Sequence, residues 1–571
     1  YAFSGMVKLS SLSIPESVLS IGEGAFSNAK LIKSVVLPSG VSRLEKQVFS
    51  GCSALESIDL ESVSFIGESA FYNCSALNSV SFGDNAVLTK VGASAFENCT
   101  SIENISFPSC LTEIGERAFR GCTKLKAFTA PESLETLGSE AFYGCRALTA
   151  VVLNGALTSL GGSAFSGCVA LTDITVVSGG AFTSDSGVLL SSGGQVLTLY
   201  PAAKTDKVYS VPSGVVSIAS GAFSDNDFVT EVELPDGLSE IYSDAFKGCK
   251  SLSSVNFPSS LKSIGKNAFY DTALETADLP LGLREIGDRA FGATGKLTYA
   301  YIPAGTVSVG SEIFYYSSSE IDIVIDFKPL TGWSSHWLDS GMSGVEYNYR
   351  ISSKNSADGY EYVSKDGFAA LTKYTGSETE VIIPESIGGL TVTVLAGTFE
   401  NNDSVISVSV PDSVLTITEL TFAKTSSLEK LSVPFVGAYR NAKGAFALAG
   451  YVFDYSESRY AGWTEQTAGT NLSYFADIPD TLSEIVVTES IAIYYGAFSG
   501  MNKLGKITFS GISAVGVSAF RGCGSLQEIV TGMTEAQWND ISKGTDWNKN
   551  TPSGMKITFT DSVSDTSGGE N

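Results

Sequence analysis

The sequence predicts a solenoid, β-dominated within the α/β class. Coils of about 23 residues wind into a right-handed superhelix with a long parallel sheet and short helical or 3₁₀ corners. Three observations predict it. First, phenylalanine returns in register at Phe3, Phe26, Phe49, Phe71, Phe96, Phe119, Phe142, Phe165, Phe223, Phe246, Phe269, Phe291 and Phe314, and again at Phe399, Phe422, Phe498 and Phe520. Most steps are 22, 23 or 25 residues, and 13 of these 17 phenylalanines follow an alanine. Second, further apolar positions keep fixed offsets: Leu111, Ile114, Cys122, Leu125 and Phe128 around Phe119, and Leu238, Ile241, Cys249, Leu252 and Val255 around Phe246. Third, each unit ends in a stretch that alternates apolar and polar residues and closes on proline, as at Pro38, Pro108, Pro131, Pro235, Pro258, Pro303 and Pro411.

One unit reads L-x-x-I-G-x-x-A-F-x-G-C-x-x-L-x-x-I-x-L-P. In its second half Leu252, Val255 and Phe257 share one face, with Ser254 and Asn256 between them on the other. That is the two-residue period of a short strand, and proline, lacking an N–H, suits its end. The middle piece, such as "GESAFYNC" at 67–74, is too short for an independent helix and fits one helical or 3₁₀ turn. Glycine before it, as at Gly67 and Gly115, permits a sharp corner. A unit this size cannot bury its apolar side chains alone; stacked copies can. Each buried Phe or Leu then contributes about 1.5–3 kcal/mol, so core packing alone accounts for the motif.

Along the chain, residues 1–316 read as a first array, interrupted at 184–212 by two alternating apolar runs on either side of Gly193-Gly194, the pattern of a hairpin. Residues 317–350 leave the repeat, and Trp333 and Trp337 read as a cap or spacer over the open end of the stack. A second array occupies 351–532, with a Tyr/Gly/Ala-rich insertion at about 435–476 that carries Trp463. A cap at 533–561 with Trp538 and Trp547 and a polar tail at 562–571 follow. Two tandem modules are expected, with a hinge near 350–360.

These residues resemble the BspA-like, treponemal-type leucine-rich repeat of bacterial surface proteins. "IPESVLSIGEGAF" at 14–26 and "LPDGLSEIYSDAFKGC" at 234–249 match its repeat. Residues 360–399, opening "YEYVSKDGF", resemble a module opening in members from gut bacteria, and 533–561, opening "MTEAQWND", resemble an array ending. The resemblance covers nearly the whole chain. It implies a leucine-rich repeat solenoid, displayed on a cell surface or secreted, that adheres to host matrix proteins, other cells or glycans.

Composition narrows the partners. Lys and Arg number 36 against 61 Asp and Glu, a net charge of −25, which opposes binding to nucleic acid or to an anionic membrane. No run of 18 apolar residues occurs, so no spanning helix is predicted. The chain opens on "YAF", already inside a repeat, and ends on "SDTSGGEN"; both ends are expected to be cut from a longer precursor, with any export signal or anchor outside them. Eight of the nine cysteines sit three residues after a repeat Phe, a position for a small buried side chain, and are expected to be free structural thiols. Cys110 has no assignment. No C-x-x-C pair and a single histidine, His336, argue against zinc. Neither a nucleophile motif nor a phosphate loop appears, and Glu231 and Glu233 occupy alternating strand positions where solvated charge is the default. No catalytic residue, metal or cofactor is assigned, and the chain is expected to be a monomer and not an enzyme.

A binding face is the better expectation. Outward residues of the strands line one broad surface, and most are small and polar, as in Ser57/Asp59 and Ser254/Asn256. Glu231 and Glu233 add charge, and Tyr299 and Tyr301 read as two aromatics side by side on this surface. Aromatics concentrate binding energy, and flat rings suit sugars. Trp463 is a second candidate because long insertions carry function. The leading expectation is adhesion to a protein or glycan through the extended face. A structural stalk without a ligand is the alternative, and a carbohydrate-active enzyme is the remote one.

Overall fold

The computed structural model describes residues 1–571 except 85, 178, 340–346, 348, 457–463, 469–471 and 561–571. The chain is a β-solenoid. Its main strands pair in parallel and in register: Ser34 lies beside Ser57 and Ser57 beside Ser79; farther on, Ala127 lies beside Ala150 and Ala150 beside Asp173. Each coil also contributes a second, two-residue strand. Arg43–Leu44, Phe65–Ile66, Lys90–Val91, Glu113–Ile114, Thr136–Leu137 and Ser159–Leu160 form one such ladder, in which the second residue, always aliphatic, is the more buried of the two. The repeat therefore builds two parallel ladders rather than one long sheet.

The corner that carries Phe is not helical. Ser69 and Asn73 take left-handed φ of 55° and 58°, which interrupts any helix within four residues. Cys74 N still donates to Phe71 O at 3.1 Å, but Phe71 N and Asn73 N donate to Ala95 O and Glu97 O of the next coil, each at 2.8 Å. The corners thus form a third hydrogen-bonded seam along the rod. Glu535–Asp540 is the one α-helix among the described residues, with a Thr534/Gln537 capping box. Gly67 and Gly115 prove necessary for closeness: a Cβ would stand 2.7 Å from Glu45 C and 2.8 Å from Ala93 N of the preceding coils.

Inside, the phenylalanines stack. Ring centroids are 5.5 Å apart for Phe26–Phe49, 5.1 Å for Phe96–Phe119 and 5.0 Å for Phe246–Phe269. The cysteine slot has a polar duty that its apolar reading misses. Each buried Sγ lies against the carbonyl of the preceding coil's Phe, as Cys122 against Phe96 O at 3.2 Å and Cys249 against Phe223 O at 3.0 Å. Where threonine replaces cysteine the hydroxyl takes a Phe carbonyl of its own coil, as Thr272 does with Phe269 O at 3.0 Å. All nine thiols are free, and Cys110, half-buried, points at Leu88 O at 3.2 Å.

The stack is divided. One apolar core runs from Ile21 to Leu189 and a second from Val188 to Tyr347, meeting where Val188–Ser191 and Val196–Leu199 pair antiparallel across Gly193-Gly194. Val196–Leu199 then starts the next short-strand ladder by pairing with Ser217–Ile218. Trp333 and Trp337 are buried in the second core and belong to a further coil: Ile313 N donates to Trp337 O at 3.1 Å, and Trp333 Nε1 to Thr306 O at 2.8 Å. Tyr349–Ile351 is the last strand of that sheet.

The third core, from Tyr360 to Trp538, includes Val307 of the first array. The second array lies against the first along a seam. Leu281 and Ala304 pack with Val363, Ala370, Val394 and Ala396. Around this patch Lys365 meets Asp278, Lys328 meets Glu400 at 2.8 Å, Tyr439 donates to Glu285 at 2.9 Å, and Arg284 donates to Leu415 O at 3.2 Å.

Candidate functional site

The strand Tyr299–Ile302 is held between Thr276–Asp278 and Asp322–Ile325, which puts Tyr301 beside Asp278 and beside Val324. Alternation alone would leave Tyr299 and Tyr301 on the open face. The second array changes this for Tyr301. Strands Tyr360–Lys365 and Phe368–Tyr374 are joined by Asp366-Gly367, both at positive φ (53° and 84°), the two-residue turn suited to a twisted hairpin. The tip of this hairpin reaches over the sheet. Lys365 Nζ lies 4.6 Å from the centre of the Tyr301 ring and 2.5 Å from Asp278. Tyr301 is only 8% exposed, and its hydroxyl donates to Asp326 Oδ2 at 2.5 Å.

Asp326 is itself buried, at 1% exposure, and also accepts from Ala304 N at 3.1 Å and Ser352 Oγ at 2.7 Å. Burial raises its carboxyl pKa above the ordinary range, and the hydrogen bonds from Tyr301 and Ser352 oppose the rise. Burial likewise pushes the Tyr301 phenol up, with the Asp326 charge adding to it. Tyr301 is a structural post, and the expected side-by-side pair on an open face does not form.

Tyr299 remains half-buried beside a cleft of about 320 Å³ between the arrays. Asp278, Asp366, Ser353 and Ser364 stand exposed on its walls, and Asn355 closes one side. One ring, the hydroxyls of Ser353 and Ser364, the Asn355 amide and the carboxylates of Asp278 and Asp366 line this cleft. At its edge Arg350 makes a two-pronged contact with Asp322, at 3.0 and 2.9 Å.

The remaining candidates lie elsewhere. Glu231 and Glu233 are exposed on their strand, and Ser210 Oγ donates to Glu233 at 2.5 Å. Ser254 is exposed beside Glu231. Asn256 is committed: its amide accepts from Leu234 N at 2.6 Å and donates to Leu234 O at 2.9 Å, extending the sheet where the backbone stops. Trp463 lies outside the described residues. His336 is exposed, its ring beside Ser335 Oγ at 3.0 Å. Sequence reasoning missed Lys365 and Asp366. The "SKDGF" stretch announces a hairpin, but nothing in it names the surface the hairpin meets.

The model of the BspA type leucine rich repeat region matches residues 1–99, 89–186, 205–320, 349–447 and 467–543. The chain belongs to that family. Among solved structures, this BspA-type chain is similar to a leucine rich cell surface protein from Faecalibacterium prausnitzii, at 26% identity over 59% of this chain and 92% of that one, with a TM-score of 0.44. It is also similar to the pneumococcal vaccine antigen PcpA, at 25% identity over 57% and 69%, TM-score 0.37. A leucine-rich repeat protein from Bacteroides ovatus matches at 18% identity over 96% and 91%, TM-score 0.28. No curated protein matches the chain by sequence. Among the described residues, no helix is long and apolar enough to cross a membrane.

Proposed function

We propose that this BspA-type chain is a bacterial cell-surface or secreted binding protein, non-enzymatic, that holds an extended protein or glycan along the outward face of its first array, with Tyr299 and the inter-array cleft as the point of strongest contact. Membership of a family with cell-surface relatives supports the location. The observation that carries the binding reading is the cleft beside Tyr299. The small, exposed Thr276 stands one rung from the half-buried Tyr299 ring, which borders that cleft. Affinity would then sum modest contacts over several coils, with one aromatic anchor.

The test is a binding screen of the purified chain against immobilised matrix proteins and a glycan array, with Tyr299→Ala beside it. Tyr301 is left intact because its loss would disturb the fold. The expected result is a ligand whose affinity falls about ten-fold or more in the variant. Undiminished binding in the variant would move the site to the insertion carrying Trp463. Absence of any ligand would sink the binding reading and favour a stalk that presents another domain.

A further inference from the structure

The seam between the arrays contains a carboxylate whose hydrogen bonds cross it. Glu419 belongs to the second array, is 1% exposed, and accepts hydrogen bonds from the backbone N–H and the hydroxyl of Thr331 in the first array. The charges around it come from both sides. Lys328 of the first array faces it, and Lys328 is itself paired with Glu400 at 2.8 Å. Asp454 of the second array faces it as well, and Asp454 lies directly opposite Asp477, with Lys424 nearby. Farther along the seam, Asp326 is buried among Tyr301, Ser352 and Ala304, with Lys365 above. Two buried acids therefore sit where one array meets the other.

We propose that the seam is a pH-gated joint: mild acid locks the two arrays together, and rising pH frees them, with Glu419 as the main titrating group and Asp326 as a second.

The physical reason is the cost of burying a charge. Closed, the seam removes the Glu419 carboxylate from water and gives it neutral donors, so burial favours its protonated form. Its pKa is pushed up to about 7 by that burial, against the Thr331 hydrogen bonds, which lower it; Asp454 adds to the rise and Lys328 opposes it. Asp454 and Asp326 are shifted in the same direction, also chiefly by burial. The sign follows. An opened seam returns Glu419 to water and an ordinary pKa, so the closed state holds more protons between the ordinary value and about 7. Closure is fully favoured below that window, weakens through it, and changes no further above it. Over the window the ratio of closed to open molecules falls by up to about two orders of magnitude. The cleft beside Tyr299 is built from both arrays, so the joint would also set its shape. That last step rests on the binding reading above, whereas the joint itself does not.

The experiment traps openings with a thiol in the seam. Ala304 is buried against residues of the second array. In a Cys110→Ser background, Ala304→Cys is labelled by a thiol reagent from pH 5 to 8, with rates normalised to a small free thiol at each pH. Slow opening is read as the labelling rate. The expected result is a normalised rate that rises at least ten-fold across the range and then levels off. Adding Glu419→Gln, a neutral side chain of the same shape, flattens most of the rise. A flat profile in the parent would overturn the proposal, as would an unchanged rise with Glu419→Gln. If that variant does not fold, Thr331→Val serves instead: it keeps the carboxylate and removes one donor, and must label faster at every pH, while an unaltered rate counts against the proposal. None of these readouts needs a ligand, so the joint and the binding reading fail separately.

Discussion

The sheet faces of the two arrays are built by the same rule and finished differently. At one outward position of the first array the rungs read Ser34, Ser57, Ser79, then Ala127, Ala150, Asp173, then Val208, Glu231, Ser254, and finally Thr276, Tyr299, Asp322. At the corresponding position of the second they read Glu380, Ser407, Lys430, Glu484, Lys506, Glu528, Lys556. Opposite charges there face each other across neighbouring rungs, Lys430 to Glu484 at 3.3 Å and Lys506 to Glu528 at 3.5 Å. Cross-strand pairs of this kind stabilise a sheet, and they occupy the donors and acceptors that a partner would use. The second face pairs its charges along most of its length, whereas the first is mostly small side chains, broken by Glu231 and by the Arg350-paired Asp322, with the Tyr299 ring near its end. Position in the repeat decides only that a side chain points outward; what it does there depends on its neighbours one rung away.

The comparison can be broken at several depths. The largest effect is expected from the shared core. Phe119→Ala in the first array and Phe422→Ala in the second each empty a rung flanked by stacked rings, at 5.1 and 5.3 Å for Phe119 and at 5.5 Å from Phe399 for Phe422. Each should lose about 3–5 kcal/mol in denaturant unfolding, since both sites are buried and surrounded. A loss in one array only would show that the two cores are not equivalent. The faces should part company in a binding assay. Tyr299→Ala lowers affinity about ten-fold, while Lys430→Ala leaves it unchanged; equal effects would erase the distinction.

A smaller effect isolates the thiol slot. Cys122→Val keeps the volume but removes the contact to Phe96 O, at an expected cost of about 0.5–1.5 kcal/mol in thermal unfolding. Cys122→Thr should cost less, because the threonine hydroxyl serves this slot at Thr272 and Thr425. A Val variant as stable as the parent would return the slot to pure packing. The smallest effect belongs to the charged ladder. Lys506→Met should cost less than about 1 kcal/mol, and that cost should shrink as salt is added.

Much of this architecture was legible because the chain repeats itself. Seventeen returns of Phe carry the same message, and the outward alternation of Ser254 between Leu252 and Val255 needs no partner to be read. The second ladder was harder to see, since a strand of two residues has no period. The expected helical or 3₁₀ turn is broken at the corner by left-handed residues, among them Ser69 and Asn73; of these only asparagine favours that region, and serine gives no sign of it. The seam was illegible. Glu419 stands three residues before Phe422, the same slot as Glu68 before Phe71 and Glu116 before Phe119. Those two are exposed, and Glu419 is buried, because another array lies across it. Tyr301 differs from Tyr299 for the same reason: its cover, Lys365, comes from a part of the chain that no repeat spacing connects to it. A fold written in repeats is read from one unit; a contact between arrays is written once.

The buried thiols have a chemical consequence. Oxidation and disulfide exchange proceed through the thiolate. Burial raises the pKa of Cys52 to about 11 and of Cys122 to about 12, so at neutral pH almost none of either is in the reactive form. Eight of the nine sulfurs are sealed in this way. The eight sealed sulfurs therefore stay reduced in oxidising surroundings for as long as their coils stay closed, and a coil that frays exposes its thiol and loses that protection; Cys110, half-buried, lies outside it.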